Sequence, residues 1–104
     1  MAKVRANWYE KHGISKRRYQ ELVWFARGYD EYGADDRRRS ETGWKVAAIE
    51  RAAMIAAPEY CRELLKNVTG DMSWEVIQPP CGRVQFYAAR RRFFAALDEI
   101  CENR

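Results

Sequence analysis

Residues 83–101, RVQFYAARRRFFAALDEIC, decide the architecture of this chain. At about 100° per residue, Phe86, Phe93, Phe94, Leu97, Ile100 and Cys101 fall on one arc, the apolar stripe of a helix that covers a core. The stretch therefore predicts one long amphipathic helix from about Arg83 to Cys101. Arg90 falls inside the apolar arc, where packing of its aliphatic stem and pairing with an acid are at least as natural as contact with a ligand. Tyr87 stands at the core boundary as a structural hydrogen-bonding group. The opposite side carries Val84, Gln85, Ala88, Arg91, Arg92 and Ala95, a surface of small residues, one amide and two guanidinium groups that fits a groove.

Upstream of this helix, Pro79, Pro80 and Gly82 form a stiff turn, and a short helix of about residues 72–78 runs through Trp74, Val76 and Ile77 with Asp71 or Ser73 as its cap. Gly70 ends the preceding helix, in which Cys61, Leu64, Leu65 and Val68 repeat at helical spacing after Pro58 in its first turn. Before that, the alanine-rich run WKVAAIERAAMIAA from Thr42 onward combines high helix propensity with side chains small enough for close helix approach. The polar, aperiodic stretch from Gly33 to Gly43 reads as an exposed loop, its Arg37–Arg39 triplet balanced by Asp35, Asp36 and Glu41. Ser15 caps a first helix of about 16–29 whose Tyr19, Leu22, Ala26 and Tyr29 recur at helical spacing. Residues 1–14 read as a basic arm. Strand-like alternation is confined to short ambiguous stretches around Trp74, and no internal repeat occurs. The expected fold is all-α, a compact bundle of about five helices in a single domain: arm 1–14, helical scaffold 15–70, and a helix-turn-helix-like unit 71–104.

The chain has 104 residues, enough for one modest core and too few for two. With 47% hydrophobic and 33% charged residues it is too apolar for a disordered tail and too charged for a membrane protein. No run approaches a membrane span, and the N-terminus lacks the apolar segment of a signal peptide, so a cytoplasmic location is expected. Cys61, Cys81 and Cys101 are odd in number and widely spaced, matching neither a disulfide framework nor a metal site; His12, beside Gly13, reads as an exposed histidine. Neither a metal nor another cofactor is expected. Charge is unevenly spread: residues 1–18 hold six Lys or Arg against Glu10, and residues 83–92 hold four Arg and no acid. Two basic clusters on a mildly basic chain suit a polyanion partner or an ordinary solvated surface.

A short helix, a tight turn and a longer amphipathic helix is the order of a helix-turn-helix, whose second helix enters the major groove by its first turns. In that arrangement Gln85 would read adenine, Arg91 or Arg92 would reach guanine or a phosphate, and Val84 or Ala88 would touch thymine methyl groups. Arg83 and the backbone N–H groups of the first turn would hold a phosphate, as would Lys16 and Arg17 of the basic N-terminal segment. The aromatic residues Trp8, Tyr9, Trp24 and Tyr32 are expected mainly to pack in the core rather than to stack on bases. No nucleophile stands beside a base, no phosphate loop occurs, and no carboxylate pair marks an apolar face, so a non-enzymatic protein is expected.

Ser15, Arg18, Tyr19, Glu21, Leu22 and Phe25, in the pattern S-x-x-R-Y-x-E-L-x-x-F, resemble the opening of small phage and prophage proteins of Gram-positive bacteria. Ile49, Glu50 and Ala53 continue the likeness. Its most specific block is Pro80, Cys81, Gly82, Phe86, Tyr87, Arg90, Arg91, Phe93, Phe94 and Leu97. The pattern spans Ser15 to Leu97 and is similar to RinA-like and ArpU-like late-gene transcriptional regulators, whose C-terminal half resembles the DNA-binding region of sigma factors. That resemblance implies a DNA-binding regulator, with double-stranded DNA as partner. The competing expectation is a phage-encoded protein-binding module or an inhibitor of a host nucleic-acid enzyme. RNA polymerase or another host protein, and a second copy of the chain packed through the alanine-rich helix, complete the set of expected partners.

Overall fold

The computed structural model describes residues 8–33 and 36–103, without the side chains of 36–40. The expected charge balance of Arg37–Arg39 and the arm before Trp8 lie outside the described residues. A 3-10 turn over Trp8–His12 is followed by six α-helices: α1 (Lys16–Arg27), α2 (Tyr29–Tyr32), α3 (Asp36–Ala56), α4 (Cys61–Gly70), α5 (Trp74–Ile77) and α6 (Arg83–Glu102). Among the described residues there is no strand, and the chain is an all-α bundle. No helix among the described residues is long and apolar enough to cross a membrane.

The long helices α3 and α6 form the spine. They run antiparallel: Arg92 reaches Ala56 at the end of α3, while Arg51, five residues earlier on α3, shares a groove with Glu99 and Asn103. Close approach follows from side-chain size, because α3 offers Ala48, Ala52, Ala53 and Ala56 around Ile49, and α6 answers with Phe86, Ala89, Phe93, Phe94 and Leu97. The expected apolar arc of α6 is thus the buried one, with Ile100 and Cys101 half-buried at its end. Leu22 and Ala26 of α1 and Leu64 and Val68 of α4 close the core from the other side.

Several local features differ from expectation. The stretch 36–43 is the first part of α3 rather than an exposed loop. Its Arg, Glu and Ser residues tolerate helix, and Thr42 Oγ1 donates to the Tyr32 carbonyl at 2.5 Å to pin the segment. The first helix stops at Arg27 because Gly28 breaks it; a Cβ there would lie 2.5 Å from the tip of the Tyr32 ring, so any larger residue would have to displace that ring. Ser15 does cap α1, accepting from the Arg18 N–H at 3.1 Å. The αL residue that ends α4 is Asp71 at φ 58°, one past Gly70, with its N–H on the Asn67 carbonyl and that of Met72 on Lys66. Pro58 sits in the turn before α4, which begins only at Cys61. From Trp8 onward the N-terminal segment is fastened rather than arm-like, because Tyr9 and Ile14 are buried.

Candidate nucleic-acid interface

The turn between α5 and α6 is built to present the first turns of α6. Gln78 ends α5 in the αL conformation and Pro79 is buried, which fixes the direction of exit. Trp74 Nε1 donates to the Cys81 carbonyl at 3.2 Å, tying the start of α5 to the end of the turn. Arg83 Nη1 and Glu75 Oε2 add an exposed ion pair at 3.7 Å across it. An exposed pair of this kind is worth less than about 1 kcal/mol, so Glu75 holds Arg83 only weakly. Gly82 is the N-cap of α6 and supplies no side-chain cap, which leaves the N–H groups of the first turn open toward solvent. At four residues, α5 is shorter than the expected 72–78.

The structure sorts the expected contact residues into three groups. Val84 is 83% exposed, and Gln85 and Arg91 are exposed with no hydrogen-bond or ion-pair partner among the described residues. Ala88 lies between them, half-buried. These four share one outward stripe of α6. Arg92 belongs elsewhere: its Nε and Nη2 both donate to the Ala56 carbonyl, at 3.2 and 2.9 Å. Ala56 is the last residue of α3, so the guanidinium satisfies an orphan carbonyl at the negative end of that helix. Next to it, burial and the neighbouring Cys81 thiol push the Tyr60 phenol above its ordinary pKa, with Arg92 pulling the other way.

Lys16 and Arg17, also expected at the site, are exposed but stand apart from it. The adjacent Arg18 fixes where: its Nε donates to Asp98 Oδ1 at 2.7 Å and its Nη2 lies 3.8 Å from Glu102. That hydrogen bond to Asp98 is the leading reason the Arg18 pKa is raised. Asp98 is thirteen residues beyond Gln85, about 20 Å along a helix rising 1.5 Å per residue. The first turn of α1 therefore rests against the far end of α6 from Val84 and Gln85.

Two further placements complete the surface. Arg90 is inside the fold, as its position on the helical wheel suggests, but its partners are the Asn67 and Tyr19 side chains and the face of Phe94 rather than an acid. Of the four aromatic residues expected in the core, Tyr9 is buried, Trp8 and Tyr32 are half-buried in aromatic clusters, and Trp24 is 70% exposed. The reason is angular: Trp24 is two residues from both Leu22 and Ala26, about 200° around α1 from the buried side. A wheel drawn for α1 as for α6 would have found it. The chain matches no family model, no curated protein and no solved structure.

Proposed function

We propose that this chain is a non-enzymatic, phage-derived DNA-binding transcriptional regulator that reads the major groove of double-stranded DNA with the first turns of α6. The observation that carries the reading is the set Val84, Gln85 and Arg91: one apolar, one amide and one cationic side chain on a single exposed stripe at a helix N-terminus, each uncommitted within the described chain. Those are the three kinds of group that meet thymine methyls, adenine edges, and guanine or phosphate. The tied turn before the helix holds that stripe in place, as a recognition helix requires. Lys16 and Arg17, remote from the stripe, serve as additional phosphate contacts. The resemblance to RinA-like and ArpU-like regulators points the same way and supports RNA polymerase as a protein partner in the cytoplasm.

Titration of random-sequence and prophage-promoter duplexes at two salt concentrations tests this. Binding is expected to weaken steeply with salt, with a log–log slope of about −0.9 per neutralised phosphate. Absence of binding to either duplex at low salt removes the proposal.

A second reading, a phage-encoded module that binds or inhibits a host nucleic-acid enzyme, is favoured by the exposed apolar side chains Val76 (65%) and Val84 (83%) flanking the same turn. Isolated valines of this kind occur on many surfaces, which is why DNA stands first. Affinity capture from nuclease-treated bacterial lysate separates the two: a stoichiometric protein partner retained without nucleic acid supports the second.

A further inference from the structure

The C-terminal half of α3 exposes two large apolar side chains on the side away from the core. From Val46 to Ala57 its charged residues are Glu50 and Arg51 alone. The inner side is used by the core, where Ala48, Ile49, Ala52, Ala53 and Ala56 are buried. The outer side leaves Met54 52% and Ile55 57% exposed. The same side carries the exposed charges Glu50 and Arg51, so Met54 and Ile55 form an apolar ridge edged by charge.

Beside this bare ridge runs a groove of about 260 Å³ between α3 and the last turns of α6. Ile55, Ala96 and Ile100 supply its apolar surface, and Arg51, Glu99 and Asn103 its polar edge. Arg51 and Glu99 stand on opposite helices, and neither is in an ion pair among the described residues. A ridge next to a groove, with a cation on the ridge helix and an anion on the groove helix, is a surface complementary to itself.

We propose that this α3–α6 face is the interface between two copies of the chain related by a two-fold axis. Met54 and Ile55 of each copy seat in the groove of the other, and Arg51 of each faces Glu99 of its partner. Two-fold pairing requires the same patch to meet itself, and this patch carries both halves of each contact. Ala96 is small enough to let the two helix pairs approach as a four-helix layer. A second copy supplies the ridge and the two charges in reverse order. The pairing stands independently of DNA binding.

Sedimentation equilibrium of the full chain, from low micromolar to near millimolar concentration, reads the outcome. The unaltered chain is expected to approach twice its monomer mass. Ile55→Glu is expected to be monomeric throughout, with its helicity retained and its Tm equal to that of the unaltered chain at concentrations where that chain is monomeric, since the side chain is exposed. Arg51→Glu and Glu99→Arg should each raise the dimer Kd about tenfold, because every reversal places like charges together at two symmetric positions, and the double variant should recover most of that loss. A chain that stays monomeric at every concentration overturns the proposal. So does a dimer that Ile55→Glu leaves intact, or a double variant no tighter than either single one.

Discussion

Nε of Arg90 donates to Oδ1 of Asn67 at 3.0 Å, and through that bond three helices and a turn are joined. Asn67 Nδ2 donates in turn to the Met72 carbonyl at 2.8 Å, Arg90 Nη1 donates to the Tyr19 hydroxyl at 2.8 Å, and the guanidinium carbon lies 4.9 Å from the centre of the Phe94 ring. Asn67 is the buried polar residue of the described core, at 8% exposure. An arginine in an apolar arc is tolerable here because two oxygen acceptors and an aromatic face receive its charge without a carboxylate.

Replacing Arg90 by Leu should therefore cost stability. The substitution leaves the Asn67 oxygen buried and unpaired, a loss of about 1–3 kcal/mol readable by urea denaturation. Asn67→Leu should cost a similar amount, and the double variant less than the sum, since the two groups are one network. A stability change below about 0.5 kcal/mol in Arg90→Leu would show that the arginine is a surface group.

Tyr9 tests whether residues 8–14 are part of the core. Its ring is 6% exposed and stacks on Tyr19 at 5.0 Å, and Tyr19 meets Phe94 edge-on at 5.4 Å. Tyr9→Ala should lower stability by about 2–4 kcal/mol, whereas Tyr9→Phe, which keeps the ring, should stay within about 1 kcal/mol. An unchanged Tm in Tyr9→Ala would mean that the segment detaches freely.

These two residues also mark what sequence alone discloses. The helix of Arg83–Glu102 is legible because six apolar side chains repeat with one period, and the same wheel places Arg90 inward; its partners are not legible, since Asn67 and Tyr19 lie 23 and 71 residues away. The start of α3 is illegible for the opposite reason. Residues 36–43 carry no apolar side chain, so periodicity is silent, and the bond from Thr42 to the Tyr32 carbonyl is tertiary. The fastening of residues 8–14 is hidden because a single 3-10 turn buries one ring with too few residues to show a period. At the candidate interface, the outward stripe of Val84, Gln85, Ala88 and Arg91 follows from the wheel, but the diversion of Arg92 to Ala56 depends on where α3 ends.

Tyr29 makes a pH prediction. Its hydroxyl donates to Glu50 Oε2 at 2.5 Å, and that bond first, with burial second, lifts the phenol from 10.0 to about 12. A folded-state pKa above the unfolded one favours the neutral form in the fold, so this contribution to stability is complete below about pH 10 and disappears as pH rises through about 12. The difference in tyrosinate absorbance between the chain and its Tyr29→Phe variant isolates the group. Glu50→Ala should move that difference curve toward lower pH, leaving only the smaller effect of burial. A curve that does not move would assign the shift to burial alone.

The neighbours Arg91 and Arg92 give the sharpest separation between fold and interface, because they differ in commitment and not in chemistry. Arg91 has no partner among the described residues, so Arg91→Ala should leave stability within about 0.5 kcal/mol. It should weaken DNA binding, lower the salt slope by about one if its contact is to phosphate, and relax sequence preference if its contact is to guanine. Arg92→Ala removes two donors from the Ala56 carbonyl and should cost about 1 kcal/mol of stability at low salt and less as salt screens the charge. Any loss of DNA binding in Arg92→Ala should therefore track the fraction unfolded and vanish when binding is measured well below its lowered Tm. If Arg92→Ala instead weakened binding as much as Arg91→Ala while remaining fully folded, both guanidinium groups would face the DNA, and the bond to Ala56 would be one that the bound state gives up.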